Sequence, residues 1–419
     1  MKYLLRFLLA LVISATVVVT YGSIEAVGNE YSRVGRVENM TSQEANNSNK
    51  VKQDGLQLEI REPQIVALSI PENKPGATAP LSFTVSVTNH TQAPIPFFYD
   101  ALIPEIIGPD GQALRRKEPR NRQVGSGENR RTLVGVGEQI VTSLEGRLSW
   151  ENNLLQLTGL KQAFPSPYYG QIPIDLDNSS SFDNLGPGEY QLRFIYNSPT
   201  GNVLGLEPQT GQQKKIEVTG TDKLTTPFTN FRLLQPLEDN KNAVEVEGIR
   251  FETFIPEPLL TLPNNKRNVR NSVQIGMRIT NNTPTPFYFS FYATFTPDLV
   301  MPDGQVERGG YNSDWMRLPE KSDFLLVTPG KSITFFPSIA LSLRKRDNFS
   351  LLVTNGYGGY CPFDSLKPGI YQLRFRYENR SDTIQETNLA GESIESRPIE
   401  KVWTGRVDTP FVEFRIAQP

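Results

Sequence analysis

An all-β protein made of two tandem β-sandwiches is what this sequence predicts, on three observations. The segment Leu185-Gly-Pro-Gly-Glu-Tyr-Gln-Leu-Arg-Phe-Ile-Tyr196 returns as Leu366-Lys-Pro-Gly-Ile-Tyr-Gln-Leu-Arg-Phe-Arg-Tyr377. Each version alternates after its Pro-Gly: Tyr190, Leu192, Phe194 and Tyr196 share one face, and Tyr371, Leu373, Phe375 and Tyr377 repeat it, the mark of a half-buried strand. The 32 Gly, 32 Pro, 23 Phe and 15 Tyr suit many short strands joined by tight turns. At 419 residues the chain fits two domains, given about 100 to 200 residues for each.

The elements follow in chain order. Residues 1–27 begin with a basic end and an uncharged apolar run, the form of an export signal, either cleaved or kept as a membrane anchor through residues 4–21. Residues 28–54 are polar and read as a disordered leader. The first sandwich is assigned to 55–234, a linker to 235–247 and the second sandwich to 248–419. Gly55-Leu-Gln-Leu-Glu59 answers to Gly248-Ile-Arg-Phe-Glu252, and Val87-Thr-Asn-His-Thr91 to Ile279-Thr-Asn-Asn-Thr283. Pro109-Asp-Gly-Gln112 answers to Pro302-Asp-Gly-Gln305, and Thr226-Pro-Phe to Thr409-Pro-Phe. Pro187-Gly188 and Pro368-Gly369 are expected to form type II turns feeding Tyr190 and Tyr371. Each repeat exceeds the roughly 100 residues of a plain Ig domain, so the sandwiches are expected to be decorated Ig-like folds with insertions at 137–186 and 330–367.

The order of these signals resembles the bacterial Ig-like domain typified by the intracellular proteinase inhibitor BsuPI. The likeness rests on Thr88-Asn-His-Thr91 with Pro94, Pro109-Asp-Gly111, Gly137-Glu-Gln139 and Leu185-Gly-Pro-Gly-Glu-Tyr190, with their second-repeat counterparts. Leu-x-Pro-Gly-x-Tyr is also similar to the tyrosine corner of fibronectin-like sandwiches, whose hydroxyl bonds backbone upstream. These are turn and corner devices, so the resemblance implies a fold and offers protease inhibition only as an alternative function.

Composition narrows function and compartment. With 21% charged residues and a net charge of −2, neither global disorder nor a nucleic-acid footprint is indicated. Cys361 is the sole cysteine and His90 the sole histidine, which removes disulfides, paired-cysteine and His-rich metal sites, and leaves triads only His90 to use. We expect no metal and no cofactor. His90 reads as a turn residue and Cys361 as a small apolar one. Asp175-Leu-Asp-Asn-Ser-Ser-Ser-Phe-Asp183 lacks the Gly and closing Glu of a calcium loop and reads as a polar connection.

Two features are candidates for binding. Arg115, Arg116, Lys117, Arg120, Arg122, Arg130 and Arg131 concentrate positive charge on what reads as one long loop, suited to an anionic polymer, a lipid headgroup or an acidic protein. Tyr168, Tyr169, Tyr357 and Tyr360 fall beside glycines in the inserted segments, where loops would carry recognition. The aromatic runs Phe97-Phe-Tyr99 and Phe287-Tyr-Phe-Ser-Phe-Tyr292 read as strands buried on both faces. The expectation is a non-catalytic, exported bacterial envelope protein, periplasmic, at the cell surface or anchored, that binds or assembles with an envelope protein or anionic wall polymer. The alternatives are an extracytoplasmic protease inhibitor and a carboxylate-dependent hydrolase of envelope polymers.

Overall fold

The computed structural model describes residues 50–418 except 54, 75, 118–130, 163–164, 167–169, 172–179, 198–200, 207–212, 219–222, 264–269, 312–318, 346–347, 357 and 388–392. Residues 1–27, expected to be an export signal, and most of residues 28–54, expected to be a leader, therefore lie outside the described residues. Residues 48–419 form one compact unit. It is all-β, and among the described residues only short 3₁₀ turns interrupt the strands.

In the first repeat, β1 (Lys50–Gln53), β2 (Leu56–Ile60), β3 (Val66–Ser69), β4 (Thr78–Asn89), β5 (Leu102–Ile107), β6 (Gln139–Glu151), β7 (Leu154–Gln162), β8 (Ser181–Leu185), β9 (Gly188–Tyr196), β10 (Leu224–Thr225) and β11 (Thr229–Leu234) make two facing layers. One is an antiparallel sheet in the order β1, β2, β4, β6, β7, β8, closed by Arg116–Lys117. The other brings β5 and β11 to either side of β9. Between them Leu58, Phe83, Val85, Ile106, Leu192, Phe194 and Phe231 are buried in one cluster.

The second repeat uses β12 (Ala243–Val246), β13 (Ile249–Phe254), β14 (Leu259–Thr261), β15 (Phe295–Val300), β16 (Gly369–Asn379), β17 (Gly405–Asp408) and β18 (Val412–Ala417). The counterparts of β4 and β6 are each broken in two, Arg270–Val273 with Gly276–Asn281 and Ser332–Phe335 with Ile339–Lys345, so the first layer splits into two four-stranded sheets. Pro337 lies in the second break, where it has no N–H to continue a ladder.

Several expectations change. Lys50–Gln53, given to the leader, pairs with β2, and Ala243–Val246, given to the linker, pairs with β13. Ala243, Val244 and Val246 are buried, so each repeat starts one strand earlier than its first glycine suggests. The expected insertions are sheet, not loop: β6, β7 and β8 pair in series, as do 339–345, 348–354 and 360–366. Adding strands there extends the buried layer without leaving backbone groups unpaired.

The Pro-Gly turns are not type II. Gly188 has φ +155° and Gly369 no positive φ, whereas a type II turn needs about +80°. The tyrosines hold the corners instead. The Tyr190 hydroxyl donates to the Gly186 carbonyl at 3.0 Å and accepts from its amide at 2.9 Å, and Tyr371 does the same at Lys367, at 2.8 and 2.9 Å.

The largest difference lies between the repeats. The polar linker permits either swinging or locking, and the chain locks. β3 pairs in parallel with β11 on one side and with β17 of the second repeat on the other, so one 11-stranded sheet runs through both. Ala67, on β3, is packed into the second repeat's core with Val407, Tyr377 and Trp403.

Candidate functional site: a buried charge network between the repeats

Alternation along β16 puts Arg374 and Arg376 opposite the apolar face, and a half-buried strand would leave them in water. Arg374 is instead 1% exposed, because the first repeat covers that face. Its guanidinium bonds Asp298 on β15, with Nε and Nη2 at 2.9 and 2.8 Å, and Nη2 lies 3.2 Å from Asp408 on β17. Nη2 also donates to the Pro80 carbonyl of β4 at 2.5 Å.

Asp408 collects three guanidiniums. Arg406 meets it with Nε at 3.1 Å and Nη2 at 3.3 Å, and Arg376 Nε lies at 3.0 Å. Burial would push this carboxyl up, but Arg376, Arg406 and Arg374 outweigh it and hold it well below the usual carboxylate range. From its other side Arg406 Nη1 donates to the Ser82 carbonyl at 2.6 Å and reaches Glu62 at 3.4 Å. Glu62 accepts the Thr84 amide at 2.6 Å. Burial pushes its carboxyl up, against the pull of Arg406 and that amide.

Arg308 completes the row. Its Nη2 donates to the Leu81 carbonyl at 2.7 Å and its Nη1 lies 3.6 Å from Glu145; burial lowers its pKa to about 10. Three consecutive carbonyls of β4, at Pro80, Leu81 and Ser82, thus each take an arginine of the second repeat. Peptide oxygens that would be costly to bury unpaired are satisfied across the junction by charge-assisted bonds. Every carboxylate of the network is engaged by a guanidinium, so the arrangement fastens two bodies rather than offering a free acid or base.

The residues that the sequence nominates lie elsewhere. Arg116 and Lys117 form a short strand against Ser181 and Phe182, and Lys117 is ion-paired with Asp183. Arg131 begins a strand paired with Ile95–Phe98, and Arg115 is exposed. The cluster therefore does not ride on a single loop: both of its ends are held in strands, which the Pro-Asp-Gly hairpin alone did not reveal. Arg120, Arg122 and Arg130 lie outside the described residues, as do Tyr168, Tyr169, Tyr357, Asp175 and Asp177. Tyr360 is exposed at the start of strand 360–366, not in a loop. Phe97 and Phe289 are fully buried, whereas Phe287 and Tyr288 are only partly so.

Asn89 and Asn281 emerge as structural staples. Asn89 Nδ2 donates to the Ala93 and Val134 carbonyls, both at 2.9 Å, while its Oδ1 accepts from Thr91; Asn281 repeats this with Thr285, Val327 and Thr283. His90, between Asn89 and Thr91, is exposed and lies 3.0 Å from Gln57, as a turn residue would. Cys361 is buried and its thiol is pushed up to about 11, first by desolvation.

The sequence reading missed Glu62, Asp298, Arg308, Arg406 and Asp408. One signal existed: where the repeats align around Thr226 and Thr409, Asp408 faces Thr225, and where they align at Tyr190 and Tyr371, Arg376 faces Ile195. Charges held by one repeat only are not demanded by the sandwich itself. No family model matches the sequence, and no curated protein is detectably similar to it.

Proposed function

We propose that this chain is a non-catalytic, exported envelope protein that binds or assembles with a partner through its two Ig-like repeats held as one rigid platform. The observation that carries this reading is the junction: a shared sheet and a buried charge network remove the freedom that the linker would allow. A rigid pair presents contacts at a fixed spacing, so two weak contacts can be made together without the entropy of ordering a hinge. Arg115 and Arg116, near the edge of the first repeat's large sheet, are the proposed contacts for an anionic polymer.

The test is sedimentation of residues 48–419 with isolated cell envelopes, untreated or protease-stripped, across a salt series. Binding that survives stripping and weakens with salt is the expected result for a wall polymer or lipid surface. Binding lost on stripping means a protein partner. Absence of binding in both overturns the reading and moves protease inhibition and hydrolysis forward.

A further inference from the structure

The middle of the molecule and its two ends carry the same pair of strand edges. In the middle, β3 of the first repeat is bonded on its far side to β17 of the second, and the Arg406 amide donates to the Ile65 carbonyl at 2.8 Å. The counterpart of β3 is β14: β3 pairs in parallel with β11 and β14 with β18, with Leu68 opposite Leu233 and Leu260 opposite Ile416. The counterpart of β17 is β10, which precedes Thr226-Pro-Phe as β17 precedes Thr409-Pro-Phe. Among the described residues β14 pairs only with β18, and β10 only with β9.

We propose that the chain associates head to tail with further copies of itself, the open edge of β14 in one copy pairing in parallel with the open edge of β10 in the next. Two features support this occupant. Ala67, whose side chain the internal junction buries completely, corresponds to Leu259, which is 57% exposed. An apolar side chain thus waits at the position where a following sandwich would cover it, beside Leu224. The backbone of β14 is also able to pair. The Arg415 amide bonds the Pro258 carbonyl and the Leu262 amide bonds the Ala417 carbonyl, so alternation turns the Leu259 and Thr261 amides to the open side. Pro256 and Pro258 fall in the opposite register and remove no donor from that edge.

The buried lock is not repeated at the ends. Thr225 replaces Asp408 and Ile255 stands near the place of Glu62, so this contact is weaker than the internal one and depends on concentration. Because the two edges differ, the contact is heterologous and builds open arrays or rings rather than closed twofold dimers. Self-association needs no envelope ligand, so its test and that of the proposed function fail separately.

The experiment is sedimentation equilibrium of the full chain in mild detergent across a concentration series. The expected result is an average protein mass that climbs above the 47.0 kDa of the monomer, falls back to it in Leu259→Lys, and is unchanged in Ile370→Lys, an equally exposed control. A Lys223→Cys/Pro258→Cys variant, at the two exposed positions that the Arg406 and Val66 pairing would place opposite one another, in a chain whose only other thiol is the buried Cys361, should give a ladder of disulfide-linked dimers and higher species on mild oxidation. Each single variant should stay monomeric. A monomer at every concentration, association that Leu259→Lys leaves intact, or single variants that cross-link as readily as the double would overturn the proposal.

Discussion

Arg374 and Pro80 stand 294 residues apart in sequence and 2.5 Å apart across the junction, guanidinium to carbonyl. That contact, with its neighbours at Leu81 and Ser82, makes the second repeat's arginines part of the first repeat's structure. Replacing a buried ion pair by apolar groups can be neutral, but removing one partner strands the other. Arg406→Met leaves Glu62 without its guanidinium and Asp408 with two of three. We expect a loss of about 3–5 kcal/mol in guanidinium unfolding. The transition should also divide into two, one for each repeat. Arg406→Met combined with Glu62→Gln should recover part of the loss, and a strictly additive double variant would contradict a coupled network.

Two carboxyls of the network give opposite pH signatures. Asp408 is depressed in the folded chain, so its stabilisation is full above its ordinary value of 3.8 and fades as pH falls through the folded value. Glu62 is raised, so its contribution is full below its ordinary 4.5 and is lost as pH rises through the folded value. Stability measured against pH should therefore lose part of its acid slope in Asp408→Asn. Glu62→Gln should gain on the parent as pH rises from 4.5, and parallel curves would show that Glu62 does not titrate on folding.

The tyrosine corners offer a matched pair. Each hydroxyl both donates to and accepts from one peptide unit, at Gly186 and at Lys367. Phenylalanine keeps the ring, which stacks on Phe231 or Phe414, and removes only those bonds. Tyr190→Phe and Tyr371→Phe should each cost about 1–3 kcal/mol by urea unfolding, since a half-buried amide and carbonyl lose a partner. Equal losses at the two sites are expected, because the two geometries agree closely.

These elements differ in how far the sequence discloses them. The corners, the Asn-Thr staples and the alternating faces of β9 and β16 are local, so residue type and spacing suffice. The start of each repeat was nearly legible: Ala243-Val-Glu-Val246 alternates, but four residues beside a polar linker are short for a periodicity. The junction could not be read in this way. Arg374 alternates to the polar side as Arg193 does, and only the first repeat's β4, far away in sequence, turns that side into an interior. Arg193 with Glu105 remains partly exposed, whereas Arg374 with Asp298 is buried. The basic and aromatic candidates were chosen from composition, and composition does not say which charges a neighbouring strand will neutralise, as Asp183 does for Lys117.

The Pro-Asp-Gly and Pro-Gly motifs of each repeat, read separately in the sequence, touch one another. A Cβ on Gly369 would lie 2.9 Å from Pro302 Cγ, and one on Gly188 would lie 2.6 Å from Pro109 Cγ. Gly369 has no positive φ, so alanine suits its backbone and only the proline ring stands in the way. Gly369→Ala should therefore cost about 1–3 kcal/mol through overpacking. Pro302→Ala should relieve most of that loss, with a coupling of about 0.5–3 kcal/mol in a double-mutant cycle read by urea unfolding. At Gly188 the φ of +155° adds a backbone cost that no change at Pro109 can remove. Rescue of Gly188→Ala by Pro109→Ala should then be only partial. Full rescue at Gly188, or none at Gly369, would show that something other than ring contact requires glycine at these corners.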